Sequence, residues 1–299
     1  MVNVKYILTF IVLNFQPKFV NIKIMKKILV PTDFSEHAEY ALKVAAQIAR
    51  ENDGEIFLLH LLELPGEESD AVTAGAEVPE VLFFMQKVRE RFEELTGAEY
   101  LEGLTITENI GINRAFDGIL KVSKENDIDL IVMGSHGASG FHEMFIGSNT
   151  EKVVRVSEVP VLVIKKEEGN FNPEKFVFAS NFVNEIKKPF AKVVDFANSF
   201  KSKLHLVYVN TPNDFKSTHA AEKIIHDFTS GFTIKNGFTS HIYNDVNIEK
   251  GVLHFANSVN ADLIGICTHG RQGIAHFFNG SVSEDLVNHA VRPVVTFKI

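Results

Sequence analysis

Short apolar runs alternate with longer stretches of helical periodicity along most of this chain. Ile28 to Pro31 is apolar and too short for a helix, while Glu36 to Arg50 carries apolar residues three and four apart. The first pattern predicts a buried strand and the second an amphipathic helix. The alternation continues with strands over Glu55 to Leu62, Leu104 to Ile110, Leu130 to Met133 and Val161 to Ile164. Helices are predicted between them over Pro79 to Leu95, Arg114 to Glu125 and Ser148 to Val156. Pro160 stands at a strand start, where its missing N–H does least harm. Strands near Phe176, Leu204, Thr239, Leu263 and Val294 repeat this order. Such alternation predicts an α/β fold of parallel sheets covered on both faces, with right-handed crossovers.

The repetition extends to residue identities. The segment from Asp129, DLIVMGSHGASGFHEMFIGSNTEKVVRVSEVPVLVIK, aligns without a gap with DLIGICTHGRQGIAHFFNGSVSEDLVNHAVRPVVTFK from Asp262. His136-Gly137 match His269-Gly270, Gly147-Ser148 match Gly280-Ser281, and Glu151 matches Glu284. The unit starts also correspond, KKILVPTDFS at Lys26 with EKFVFASNFV at Glu174. Two tandem domains are therefore expected, over residues 25–168 and 172–299, divided by the polar stretch KKEEGNFNPEK. Residues 1–24 read as an N-terminal extension or a mis-assigned start, because the paired units begin at Met25.

Bulk properties narrow the function. Hydrophobic residues form 45% of the 299, which suits packed cores, and the net charge of -8 argues against a nucleic-acid surface. No apolar run is long enough to span a membrane. The lone Cys267 allows no disulfide within the chain and suits a reducing, cytoplasmic setting. The 26 phenylalanines read mainly as core, with Phe196 and Phe200 sharing one helix face. The acidic stretch from Leu64 to Val78 reads as a solvated loop.

Candidate chemistry concentrates in GSHGASGFHEMFIGSN, Gly134 to Asn149, which follows a buried strand. In an open parallel sheet, ligands bind beyond the carboxyl ends of the strands where strand order reverses. Gly134 and Gly137 allow unusual backbone angles and close approach to a ligand. Ser148 is expected to cap a helix, with Glu151 completing a capping box. Free N–H groups and the dipole at Gly147, Ser148 and Asn149 would then attract an anion. The apolar stretch from Phe141 to Ile146 would pack the loop down. There is no GxxxxGK[ST] motif, and no GxGxxG follows the first strand.

Gly134, Gly137, Gly147 and Ser148 fit the pattern G-x2-G-x9-G-[ST], and in this the chain resembles the universal stress protein family. KKILVPTDFSEHAEYAL, with acidic Asp33, also resembles that family's first strand and helix. The likeness covers Met25 to Ile299 as a tandem pair. It implies two Rossmann-like domains of the adenine nucleotide alpha hydrolase-like kind, each a five-stranded parallel sheet of order 3-2-1-4-5. It further implies a stress-response sensor or regulator that binds ATP, with ADP or AMP as alternatives, often with Mg²⁺. Pro31, Thr32 and Asp33 would hold the nucleoside, with Leu59, His60 and Met133 nearby. Gly134, His136, Gly137, Gly147, Ser148 and Asn149 would meet ribose and phosphates.

The second copy departs from this pattern. Cys267 replaces the first glycine and Asn181 the acidic residue, leaving Asn181, Gly270, Gly280 and Ser281 as a weaker second site. Pairing of the two halves, a homodimer and an unidentified protein partner are implied by the likeness, and neither nucleic acid nor membrane is expected as partner. No catalytic residue is assigned. Asp33 could support slow ATP hydrolysis, but hydrogen bonding to ribose is its simpler role. The competing reading is a nucleotide-independent interaction scaffold.

Overall fold

The computed structural model describes residues 25–62, 78–137, 146–268 and 280–299. The N-terminal segment, the acidic loop, the apolar stretch Phe141 to Phe145 and Gly270 lie outside them.

Among the described residues, ten strands form one continuous sheet. In the first half these are β1 (Lys27–Pro31), β2 (Glu55–Leu62), β3 (Thr105–Ile112), β4 (Leu130–Gly134) and β5 (Val161–Ile164). In the second they are β6 (Lys175–Ala179), β7 (Lys203–Asn210), β8 (Phe238–Asn244), β9 (Leu263–Thr268) and β10 (Val294–Lys298). The spatial order is β3-β2-β1-β4-β5-β10-β9-β6-β7-β8. Every neighbouring pair is parallel except β5 and β10. Those two run antiparallel, with Val294 opposite Val163 and Thr296 opposite Val161. The halves thus meet through backbone hydrogen bonds about a local two-fold relation.

Burial follows position in the sheet. β4 and β9 are buried along their whole length, whereas the edge strands β3 and β8 have only exposed and half-buried positions. Interior strands covered on both faces need apolar side chains throughout, while an edge tolerates polar ones.

The helices α1 (Glu36–Asn52), α2 (Val78–Thr96), α3 (Ala115–Glu125) and α4 (Ser148–Val156) belong to the first half. α5 (Lys187–Ser199), α6 (Thr218–Thr229), α7 (Ile248–Ser258) and α8 (Gly280–His289) belong to the second. Ser35 caps α1 by accepting from the Ala38 N–H, and Asp53 ends it in the left-handed conformation. Five of the eight buried residues of α1 are alanines: Ala38, Ala41, Ala45, Ala46 and Ala49. That permits close approach to β1 and β4.

The second half solves the same packing problem with phenylalanine. The Phe190 ring lies 5.3 Å from Phe178, 5.0 Å from Phe228 and 4.8 Å from Phe232. Phe196 and Phe200 are both buried, with ring centroids 4.9 Å apart. One exchange between the copies is complementary. Ile28 and Val132 correspond to Phe176 and Gly265, and a Cβ on Gly265 would lie 2.5 Å from the Phe176 ring. The larger side chain fits because the smaller one vacates its place.

Candidate functional site

β1 lies between β2 and β4, so the chain leaves opposite ways from its carboxyl end and opens a crevice there. A pocket of about 290 Å³ occupies it. Pro31, Thr32 and Asp33 line it from the end of β1, and Leu59 and His60 from β2. Met133, Gly134, His136 and Gly137 contribute from β4 and its loop, and Gly147, Ser148 and Asn149 from the start of α4. Every residue expected at the principal site therefore meets in one cavity.

The turn after β1 is tightly specified. The Thr32 N–H extends the ladder to the Leu59 carbonyl at 2.8 Å. Its hydroxyl accepts from the Phe34 N–H at 3.0 Å, and Asp33 Oδ1 accepts from the Ser35 N–H at 3.1 Å. These bonds hold Phe34 at φ 61°, a region that bulky side chains avoid. The second half repeats the device at Phe182, φ 54°, with the Ser180 hydroxyl as acceptor. His60 Nδ1 lies 2.8 Å from the Thr32 carbonyl. A carbonyl only accepts, so Nδ1 carries the proton of the neutral ring and Nε2 remains an acceptor. The Phe34 ring covers this imidazole at 4.8 Å.

The glycine segment is anchored at both ends. The Ser135 N–H donates to the Ile164 carbonyl at 2.9 Å, and the Gly147 N–H to the Ser135 carbonyl at 2.7 Å. The Thr150 hydroxyl donates to the Gly134 carbonyl at 3.0 Å. His136 Nδ1 lies 2.8 Å from the Ser135 hydroxyl, and its ring 5.0 Å from that of His37.

Two expectations about this segment need correction. Gly147 is the N-cap of α4 and no side chain caps the helix, so the expected Ser148–Glu151 capping box is absent. The Ser135 carbonyl has already drawn Gly147 into the extended cap conformation, leaving Ser148 inside the first turn. Nor do these glycines use left-handed backbone angles, since Gly134, Gly137 and Gly147 are not among the positive-φ residues. Two of them supply space instead. A Cβ at Gly134 would lie 2.6 Å from the backbone of His37, and one at Gly137 would lie 2.6 Å from Asp33 Oδ2. At Gly147 the nearest atom is 3.8 Å away.

The chemistry of the pocket is asymmetric. Asp33 brings a carboxylate to the β1 side, and the first turn of α4 brings unpaired N–H groups and a positive dipole end. No lysine or arginine is among the described lining residues. Nor do the described residues contain a cluster of three or more His, Cys, Asp or Glu able to hold a metal ion. Lys165, just beyond β5, is pushed down to about 8 by burial.

Sequence reasoning missed Ala38, Leu61, Ala115, Ile119 and Thr150, which also line the pocket. Ala115 and Ile119 stand one turn apart on α3, and the repeat held a signal for the first of them. Ile248 occupies the corresponding position of the second copy, so only the first copy keeps that wall small.

The second half is built differently. Besides Ile248 for Ala115, it has buried Cys267 for Gly134. Burial pushes the Cys267 thiol well above its ordinary range, so it is a packing group and not a reactive thiolate. Asn181 lines a separate cavity of about 490 Å³ with Phe182, Tyr208, Lys216 and Phe228, where its buried Oδ1 has no hydrogen-bond partner. Gly280 begins α8 and Ser281 follows it.

This doubled α/β fold, with a crevice at a switch point, agrees with comparison to known proteins. The profile of the universal stress protein family matches residues 25–165 and 235–298, well over half the chain. The chain belongs to that family. Relatives about half its length match about half of the chain. Universal stress protein MJ0577 of Methanocaldococcus jannaschii is 31% identical over 162 residues, covering 48% of this chain and 96% of that protein. Universal stress protein YxiE of Bacillus subtilis is 32% identical over 154 residues, covering 46% and 98%. The whole fold resembles a universal stress protein from Archaeoglobus fulgidus, with a TM-score of 0.68 at 22% identity over 92% of this chain and 96% of that one. Among the described residues, no helix is long and apolar enough to cross a membrane.

Proposed function

We propose that the first half binds an adenine nucleotide, with ATP favoured over ADP and AMP, and that the chain acts as a cytoplasmic nucleotide-responsive regulator in the response to stress. One observation carries this reading: Asp33 and the first turn of α4 line the same pocket. A carboxylate that only accepts hydrogen bonds suits the paired hydroxyls of a ribose. A helix N-terminus with free N–H groups suits phosphate. The pocket, at about 290 Å³, is near the lower bound for small-molecule sites. It would enclose a nucleoside and leave the phosphates at its mouth.

With no cationic side chain among the described lining residues, backbone N–H groups would neutralise phosphate charge, and Mg²⁺ would arrive with the phosphates. Asp33 is assigned to binding and not to proton transfer, because Oδ1 already receives the Ser35 N–H. The second half is read as the poorer binder, since Ile248 and Cys267 are larger than the Ala115 and Gly134 at the matching positions.

The test begins by denaturing purified protein and identifying any released nucleotide by mass spectrometry. ATP·Mg²⁺ is then titrated into stripped wild type and Gly137→Asp. Submicromolar to micromolar binding that is lost in the variant is the expected result. No binding by correctly folded wild type refutes the reading.

A further inference from the structure

The two halves are joined by more than strand pairing. Asn288 on α8 reaches into the first half, where its Oδ1 accepts the Ile146 N–H at 2.7 Å. Ile146 is buried and directly precedes Gly147, the N-cap of α4. Asn288 is itself held on this side, because Lys165 Nζ donates to its backbone carbonyl at 3.1 Å. Lys165 follows Ile164, whose carbonyl receives the Ser135 N–H, and the Ser135 carbonyl in turn receives the Gly147 N–H. Asn288 thus closes a ring of hydrogen bonds around the base of the first half's pocket. It is not among the described residues that line the pocket.

The gapless repeat places Arg155 of α4 at the position equivalent to Asn288. Arg155 crosses the same helix contact in a different way, pairing with Glu284 at 3.2 Å. A guanidinium has no acceptor, so an arginine at 288 could not take the Ile146 N–H. The contact is therefore chemically one-sided: the second half holds the first half's loop through an acceptor that the first half lacks at the matching position.

We propose that Asn288 is a positioning residue for the ligand site of the first half, so that the second half sets the affinity of a pocket that none of its described residues lines. This rests on the nucleotide reading given above. Asn288 acts through Ile146 by fixing where the chain enters α4, and with it the N–H groups offered at Gly147, Ser148 and Asn149. Coupling of this kind is reciprocal, so ligand at α4 also tightens the contact between α4 and α8.

The experiment uses the full chain and the variants Asn288→Ala, Asn288→Arg and Asn288→Asp. Hydrogen exchange of the Ile146 amide is followed without ligand, and ATP·Mg²⁺ affinity by calorimetry. Thermal unfolding checks that each variant is folded. Loss of one backbone hydrogen bond is expected to speed Ile146 exchange about ten-fold in the alanine and arginine variants and to weaken ATP about five-fold. Asn288→Asp keeps the acceptor and should keep Ile146 protected. Wild-type affinity in Asn288→Ala overturns the proposal, as does equal loss of protection in Asn288→Asp. If wild type binds no nucleotide, the proposed function falls, and the exchange of Ile146 alone decides whether Asn288 holds the loop.

Discussion

The three glycines of the motif should respond to alanine in three different ways. At Gly134 a new Cβ would lie 2.6 Å from the His37 carbonyl carbon and oxygen, about 0.8 Å inside the 3.4 Å where ordinary contact begins. Those atoms belong to the first turn of α1, whose buried alanines pack tightly, so relief requires moving the helix. Over-packing of this kind costs about 2 kcal/mol, or a fall in Tm of about 4–8 °C. At Gly137 the clash is with Asp33 Oδ2, and the next atom is 3.7 Å away. A carboxylate can swing aside, so the fold should survive while Asp33 leaves the pocket. Losing a charged hydrogen bond to ligand costs about 1.5–3 kcal/mol, roughly ten- to hundred-fold in affinity. At Gly147 the nearest atom is 3.8 Å away, and exchange should cost under about 1 kcal/mol, since no side chain caps the helix. Differential scanning calorimetry paired with ATP·Mg²⁺ titration reads both axes. A Gly134→Ala protein as stable as wild type, or a Gly147→Ala protein as the most damaged of the three, would refute the argument from space.

Two further outcomes follow from packing and ionisation. Gly265→Val should destabilise the chain by about 1–3 kcal/mol through its clash with Phe176, and adding Phe176→Ile should restore most of the loss by recreating the first half's pairing; additive urea-unfolding costs would show that the exchange is not complementary. His205 and His241 flank the Thr239 hydroxyl, and burial holds both imidazoles below their ordinary value, His205 also being lowered by its neighbour His241. A base with a lowered folded pKa binds protons less readily than the unfolded chain, so this contribution is intact above about pH 6.5 and is lost as pH falls toward the folded values. Urea midpoints should therefore drop between pH 7.5 and 5.5 by more in wild type than in a His205→Gln, His241→Gln protein.

Much of the architecture was legible in the sequence because its determinants are local. Ser148 to Val156 and Val161 to Ile164 have the predicted bounds, since hydrophobic period and length are properties of a contiguous segment. The glycine segment was legible because a repeated glycine spacing sits after a buried strand, whereas Pro31, Thr32, Asp33, Leu59 and His60 came only with the family resemblance. What escaped depends on contacts distant in sequence. Gly147 displaced Ser148 as the cap because of a carbonyl at Ser135. Gly134 is small because of His37, which no pattern around Gly134 reveals. Ala115 lines the pocket from a helix that carries no motif. The antiparallel meeting of β5 and β10 was equally invisible, because strand periodicity says which face is buried and not which neighbour lies alongside.

That meeting has a consequence for inheritance. In an assembly of two identical chains, a substitution in the gene alters both sites at once, and a change that empties one empties the other. Here the partner surface is encoded further along the same chain, so each site can vary alone. The positions that match Gly134 and Arg155 hold Cys267 and Asn288. Among the described residues the outer strands of the sheet are β3 and β8, one from each half, and they differ in sequence.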